Sequence, residues 1–416
     1  MMNHKKQINR LITLPLILTA LLFSVSACSN PSAVNTNKDL TEYKEGQASV
    51  DASIANMEKP TFATKAVTTF NEPWAMTALS TVNSKAAKLL VTQKTGELLV
   101  VNTATGAKTT VSGIPKVAYG GQGGLGDIIL APDFATSNNI YLSYVEAGKG
   151  ADNNKFGAKV IKATLTGSDT DRPSLQAMTP IWEQFPKVKG QGHYSHRLLF
   201  SPDGQYLYIS SGERQEKTPA QDMSVNLGKI IRLNPDGSVP ADNPFMNTNN
   251  DIADQFWTTG HRNVLGMAFD EKGRLWAHEM GPRGGDEFNL IEKGKNYGWP
   301  IVSNGRNYTG TDIPDHDTRP DFAAPKITWT PVISPSSMSI YHAGKHNDFP
   351  AWQGNALISG LSSKALIVVS FEKNNGAAER YRYDMGERIR GVLNVDGQVW
   401  LLEDGAKGRL LRLLPN

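Results

Sequence analysis

The side chains best suited to chemistry gather in two short clusters. They are Gly260-His261-Arg262-Asn263 and Gly281-Pro282-Arg283-Gly284-Gly285-Asp286-Glu287. Between them runs apolar Val264-Leu265-Gly266-Met267-Ala268-Phe269 and the turn Asp270-Glu271-Lys272-Gly273. An arginine, an amide, a histidine and two acids are thereby expected at strand ends, where a β-scaffold presents groups to an anionic ligand or a hard cation. Upstream lies Gly190-Gln191-Gly192-His193-Tyr194-Ser195-His196-Arg197. Two-residue alternation puts His193, Ser195 and Arg197 on one face and Tyr194 and His196 on the other. A histidine at a strand mouth after two glycines suits a general base near neutral pH, and the alternative is a hydrogen-bonded structural residue. Glu213, after the next apolar run, is of the type that orients an imidazole, or else it pairs with Arg214 at the surface.

Three further groups complete the candidates. Gln122 sits in Gly120-Gly121-Gln122-Gly123-Gly124, a loop with neither a phosphate-binding pattern nor a strand-to-helix context. Arg388 and Arg390 share a face across Ile389 and suit a ligand with several carboxylates, because a guanidinium bonds carboxylate bidentately, unless they lie on a solvated edge. Asp286, Glu287 and Tyr297 offer oxygens near carbonyls at Gly281 and Pro282, expected to be exposed, which is calcium chemistry. With one cysteine and no histidine pair at ligand spacing, soft-metal chemistry is disfavoured.

The elements that must position these groups are short strands punctuated by turns. Ser201-Pro202-Asp203-Gly204 leads into Tyr206-Leu207-Tyr208-Ile209, Asp270-Glu271-Lys272-Gly273 into Arg274-Leu275-Trp276-Ala277, and Asn394-Val395-Asp396-Gly397 into Gln398-Val399-Trp400-Leu401. Lys94-Thr95-Gly96 joins another strand pair, and Ala131-Pro132-Asp133-Phe134 is a looser member. This is hairpin chemistry, recurring about every 60 to 75 residues, which predicts a radial array of about six units. An all-β six-bladed propeller over 61–416 is the expected fold, with a long-looped β-sandwich as the alternative.

The 38 glycines and 23 prolines suit such a turn-rich protein, and a net charge of +3 without a basic stripe argues against nucleic acid. Lys5, Lys6 and Arg10 precede apolar Leu11–Val25, ending at Val25-Ser26-Ala27-Cys28. That is a secretory leader, its apolar core too short for a comfortable membrane span. The segment resembles a bacterial lipobox. Residues 1–27 are expected to be removed, Cys28 lipidated, and 28–60 to form a polar tether. Ser29 after the cysteine favours, by resemblance to lipoproteins, the outer membrane facing the periplasm. No second cysteine exists to form a disulfide within the chain.

An ordered set of motifs spans roughly residues 70 to 415. It includes Gly121-Gln122-Gly123-Gly124-Leu125, Gly192-His193, Gly228-Lys229-Ile230-Ile231-Arg232-Leu233-Asn234-Pro235-Asp236-Gly237 and Gly260-His261-Arg262-Asn263. It continues with Glu287-Phe288-Asn289-Leu290, Asn296-Tyr297-Gly298-Trp299-Pro300 and Arg388-Ile389-Arg390. The set resembles the soluble pyrroloquinoline quinone (PQQ)-dependent sugar dehydrogenases, specifically the bacterial aldose sugar dehydrogenases. The resemblance implies a six-bladed propeller with the quinone at one rim, His193 as general base and Glu213 as its support. It implies Gln122, Arg262, Asn263 and, less closely, Gln221 at the quinone and the sugar, and Arg388, Arg390 and Lys364 at the cofactor. It also implies one calcium on the carbonyls of Gly281 and Pro282, and another at Glu287 and Tyr297. An aldose substrate, an external electron acceptor and a monomer or homodimer follow as expectations. The sequence departs from the family at Met280 (usually Gln), Glu213 (usually Asp) and Ser362-Ser363, where lysine arrives only at Lys364. A calcium-dependent lactonase and a non-catalytic binding propeller are the competing readings.

Overall fold

The computed structural model describes residues 58–79, 88–246 and 249–416. The expected leader, Cys28 and the tether up to residue 57 lie outside the described residues. Lys59 already docks on the propeller, its ammonium donating to the Arg382 carbonyl at 2.7 Å and lying 4.4 Å from the Tyr383 ring. The described residues therefore include a contact with the propeller just before the expected boundary at 61.

The described strands form six four-stranded antiparallel sheets, as expected for six blades. Strand β1 (Phe62–Phe70) is followed by blade 1, β2–β5 (Pro73–Leu79, Lys88–Gln93, Glu97–Asn102, Lys108–Val111). Blade 2 is β6–β9 (Leu125–Leu130, Asn139–Ala147, Phe156–Thr166, Ser174–Glu183), and blade 3 is β10–β13 (Ser195–Phe200, Leu207–Ser211, Lys229–Leu233, Phe256–Thr259). Blade 4 is β14–β17 (Val264–Phe269, Leu275–Glu279, Asp286–Ile291, Ile327–Trp329), and blade 5 is β18–β21 (Pro335–Ile340, Ala356–Gly360, Ala365–Phe371, Ala377–Asp384). Blade 6 is β22–β24 (Ile389–Val395, Gln398–Glu403, Gly408–Pro415), completed by β1 from the other end of the chain. The β1–β24 ladder runs from Phe62 opposite Pro415 to Phe70 opposite Gly408. That pairing closes the ring and satisfies what would otherwise be an open sheet edge.

Each blade is apolar on both faces, so its central strands read as continuous hydrophobic runs. In β3, Leu89 and Val91 pack with Trp400 and Leu402 of blade 6, while Leu90 packs with Ile140 and Leu142 of blade 2. Blades 2 and 3 meet through Tyr141, Val160, Ile209 and Phe256, and blades 4 and 5 through Trp276, Phe288, Ile358 and Ile367. A fully buried side chain of this size contributes roughly 1.5–3 kcal/mol. The two-residue period thus serves two neighbours at once.

The innermost strands β2, β6, β10, β14, β18 and β22 contact one another in cyclic order around the axis. Turns of the Asp-Gly type join innermost to second strands at one rim. The starts of the innermost strands, with the turns after the second strands, form the other. Lys94-Thr95-Gly96 joins the second and third strands of blade 1, so it belongs to that other rim and not with the Asp-Gly series.

Candidate functional site

At that second rim a cavity of about 410 Å³ opens, within the size range of small-molecule sites. Gln122, Asn263, Met280, Ser334, Arg388 and Arg390 help to line it, joined by Trp74, Lys94, Ser195 and Asp404. All six blades contribute through the leads into their innermost strands, because ring closure aims those leads at the axis.

His193 and Glu213 meet beside this cavity. The His193 Nδ1 lies 2.5 Å from Glu213 Oε1, and Gln122 Oε1 accepts the His193 backbone N–H at 2.7 Å. Glu213 is 1% exposed, so its pairing with the imidazole replaces the surface ion pair with Arg214. Its second oxygen accepts the Lys217 N–H at 2.5 Å. Lys217 (φ 62°, ψ −75°) is the centre of a strained γ-turn whose Thr218 N–H donates to Glu216 O at 2.8 Å. Burial lowers the His193 pKa below its ordinary value, aided by Arg262 and Arg214 and opposed by the bond to Glu213. The imidazole is thereby held in the neutral, proton-accepting form.

The expected alternation through His193, Ser195 and Arg197 does not hold. His193, Ser195 and His196 have φ of 46°, 58° and 51°, and the β10 register shifts between Ser195 and Leu198. Left-handed backbone at these positions turns His193 towards the mouth and Arg197 into the axis. There Arg197 lies 3.8 Å over the Trp74 ring and donates to Leu265 O, Ser336 O and Asp127 at 2.8, 2.8 and 3.3 Å. His196 keeps its structural reading, stacked on Trp74 and 2.8 Å from Ser143 Oγ.

On the facing blade, Glu279 organises the second cluster. One oxygen accepts the Arg262 N–H at 2.6 Å and approaches that of Asn263 at 3.3 Å, while the other lies 2.9 Å from His261 Nδ1. His261 is fully buried and stacked on Tyr297, so it is structural. The Arg262 guanidinium donates to Met280 O at 2.9 Å and Tyr308 OH at 3.3 Å, while its buried Nε has no partner. Asn263 accepts the Ser195 hydroxyl at 3.0 Å. Arg388 and Arg390 converge as expected, on Asp404, at 2.8 and 3.0 Å. Burial alone would raise the Asp404 pKa, but Arg390 and Arg388 hold it below the usual carboxylate range. These arginines do not lie on an edge, because β22 is an innermost strand, although Arg388, just ahead of it, is exposed.

Several expected site residues lie elsewhere. Gln221 is locked to Asn296 and to Trp299 O, at 2.7 Å from the latter, and does not line the cavity. The Lys364 ammonium donates to Gly386 O at 3.0 Å, also off the cavity wall, which Leu361 reaches instead. The Ser362 and Ser363 hydroxyls turn to Val332 O and Ile333 O. Gly281 and Pro282 are buried, not exposed, with the Gly281 N–H bonded to Asp286 at 2.8 Å. The Tyr297 phenol is consumed structurally, donating to Leu290 O at 2.6 Å and accepting from Glu292 N at 2.9 Å. Its carbonyl lies 3.2 Å from His316 Nε2.

Glu287 sits directly across the β15–β16 ladder from Glu279, and its pKa is raised by burial, then by Glu279. Among the described residues, no three His, Cys, Asp or Glu side chains are placed to hold a metal together, so a cation here would depend on carbonyl oxygens. Two buried carboxylates facing each other and the unpartnered Asn289 Oδ1 fit such a cation. Arg388 and Arg390 at one wall fit a planar polyacid in the cavity, whereas Arg262, with its buried unpartnered Nε, does not itself line it.

Sequence reasoning missed Glu279, Asp404, Trp74 and Tyr308. The first two were legible only as acids after apolar runs. Tyr308, 73% exposed at the mouth, had no local signal.

Fold and site together define a propeller with an arginine-walled cavity at one rim and a histidine–carboxylate pair beside it. The model of the glucose/sorbosone dehydrogenase family matches residues 70–412, and the chain belongs to that family. It is 37% identical over 352 residues to the aldose sugar dehydrogenase YliI of Escherichia coli (strain K12), covering 83% of this chain and 90% of that one. Among solved structures, the apo-form soluble aldose sugar dehydrogenase of Escherichia coli matches with a TM-score of 0.76 at 35% identity, over 86% of this chain and all of that one. The PQQ-bound aldose sugar dehydrogenase of Streptomyces coelicolor matches with a TM-score of 0.68 at 27% identity, over 86% and 100%.

Proposed function

We propose that the chain oxidises aldose sugars at the anomeric carbon to lactones, with PQQ as cofactor and His193 as general base. Family membership supports sugar oxidation with PQQ, and the His193–Glu213 pair beside an arginine-walled cavity carries the finer reading. When bound, the quinone supplies the carbon that accepts hydride from the sugar. With Nδ1 donating to Glu213, Nε2 of His193 is the atom left to take the anomeric hydroxyl proton. Glu213, fixed by the Lys217 N–H, stabilises the imidazolium that forms. Arg388 and Arg390, both on the cavity wall, would take cofactor carboxylates, and Arg262, next to the lining Asn263, would add positive potential for oxygen charge that grows during transfer. Gln122 and Asn263 hold the backbone of His193 and the hydroxyl of Ser195 beside them.

Calcium would lie on the carbonyls of Gly281 and Pro282, with Glu287 and the Tyr297 carbonyl at a second site. The buried Glu279–Glu287 pair supports the second site more directly than the first. An external acceptor regenerating the oxidised cofactor, a lipid anchor at Cys28 and a periplasm-facing outer-membrane location belong to the same reading. The location rests on the leader sequence alone. A lactonase would place converging carboxylates on the axis, which here holds the Arg197 guanidinium over Trp74.

The test is reconstitution of the purified chain with PQQ and calcium, followed by aldose addition. A new visible band that bleaches with aldose and drives dye reduction is expected. A band indifferent to every aldose tried would leave a binding propeller, and no band at all would remove the cofactor.

A further inference from the structure

Arg214 has no place in the reading above, yet its position is unusual. It is 1% exposed and bonds to no carboxylate. Its Nε donates to Gly192 O at 2.9 Å, Nη1 to Phe156 O at 2.6 Å and Nη2 to Gly190 O at 2.8 Å. The guanidinium lies 3.6 Å over the Tyr194 ring, and the Arg214 backbone N–H points to His193 O at 3.3 Å. Every residue from Gly190 to Tyr194 except Gln191 is therefore held by this one side chain or its own amide. Burying a cation without an acid is costly unless its donors find partners, and here each of the three nitrogens has a carbonyl and the guanidinium a π-face.

The segment it grips does not hold its shape unaided. Gly190 has φ 84° with open space around it, and His193 has φ 46°, a strained conformation for a residue with a side chain. The charged groups that bear on the His193 imidazole are Glu213, Arg262 and Arg214. Arg214 is adjacent in sequence to the carboxylate that receives Nδ1, so one residue step links clamp and acid.

We propose that Arg214 is the positioning residue of the His193 base: it fixes the Gly190–His193 segment in the conformation that presents the imidazole to Glu213, and it adds a fixed positive charge beside that ring. The inference rests on His193 acting as base. Burial brings the Arg214 pKa down to about 10, so the charge persists at neutral pH.

The test compares Arg214→Lys and Arg214→Gln, both loaded with PQQ and both also studied without cofactor. Lysine keeps a charge but cannot span three carbonyls. For Arg214→Lys we expect kcat down about tenfold, sugar KM within twofold, and the acidic limb of the pH–rate profile in place. Arg214→Gln removes the charge, which raises the His193 pKa. Its acidic limb then moves to higher pH, and the His193 ring protons in the cofactor-free protein titrate higher by NMR. A purely structural role would lower the Tm of both variants and leave limb and titration unmoved. Should Arg214→Gln fail to fold, Arg214→Lys decides alone, and wild-type kcat in it overturns the proposal. His193→Ala separates the two levels. If that variant still turns over, the base assignment falls; if it is dead while the Arg214 variants behave as wild type, only the clamp falls.

Discussion

The two rims of this propeller meet the same backbone demand in different ways. At the Asp-Gly rim the chain needs left-handed residues to turn from innermost to second strand, and it uses mostly glycine, with φ 72° at Gly204 and 73° at Gly273, beside single residues Asn138 (55°) and Asp396 (50°). At the blade 3 mouth His193, Ser195, His196, Arg214, Gln215 and Lys217 all have positive φ, between 46° and 65°. Glycine would be easier there by sterics alone. Side chains are kept at that cost because they are what the site consists of, and buried bonds from Arg214, Gln122 and Glu213 hold them. One rim is shaped for stability and the other holds strain for function.

Variants at the two rims should therefore fail differently. The largest effect belongs to His193→Ala, which should retain PQQ, scored by its visible band, while kcat falls about 10²–10⁴-fold. Near-normal turnover would dissolve the contrast. Next comes Glu213→Gln, expected to lower kcat about a hundredfold. Because the Glu213 bond raises the His193 pKa, its loss moves the acidic limb of the pH–rate profile to lower pH, opposite in sign to Arg214→Gln. Arg390→Ala removes a charged bond worth roughly 1.5–3 kcal/mol, so quinone titration should show binding weakened about tenfold or more, with unfolding little changed. The smallest effect on turnover belongs to the opposite rim. Asp270 there accepts from the backbones of Lys272 and Arg274 and from the Trp276 indole at 2.9 Å. Asp270→Ala should lower stability by about 2 kcal/mol by denaturant titration and leave kcat untouched.

Much of the blade architecture was readable in advance because turn chemistry and two-residue alternation are local. Ser201–Gly204 and Asn394–Gly397 each join the strands expected of them. Alternation failed at Ser195–Arg197, where consecutive left-handed residues broke the period. Arg388 and Arg390 both reach the cavity although Arg388 precedes β22 and the register shifts between Ile389 and Gly391. Gln221 and Lys364 do not line the cavity, and nothing near them in sequence shows that Asn296 and Gly386 take their polar ends.

The sequence alone determined the number of blades, the turn positions and the stock of arginines, acids and one well-placed histidine. Tertiary structure alone decided which of these meet. Strand pairing within a blade lets Glu213 reach His193 and Asp404 gather two arginines, while ring closure by β1 on β24 brings distant loops together, so that Arg197 bonds to Ser336, 139 residues away. Propensity acts over a few residues, whereas the pairing of buried charges depends on which loops the closed ring places side by side.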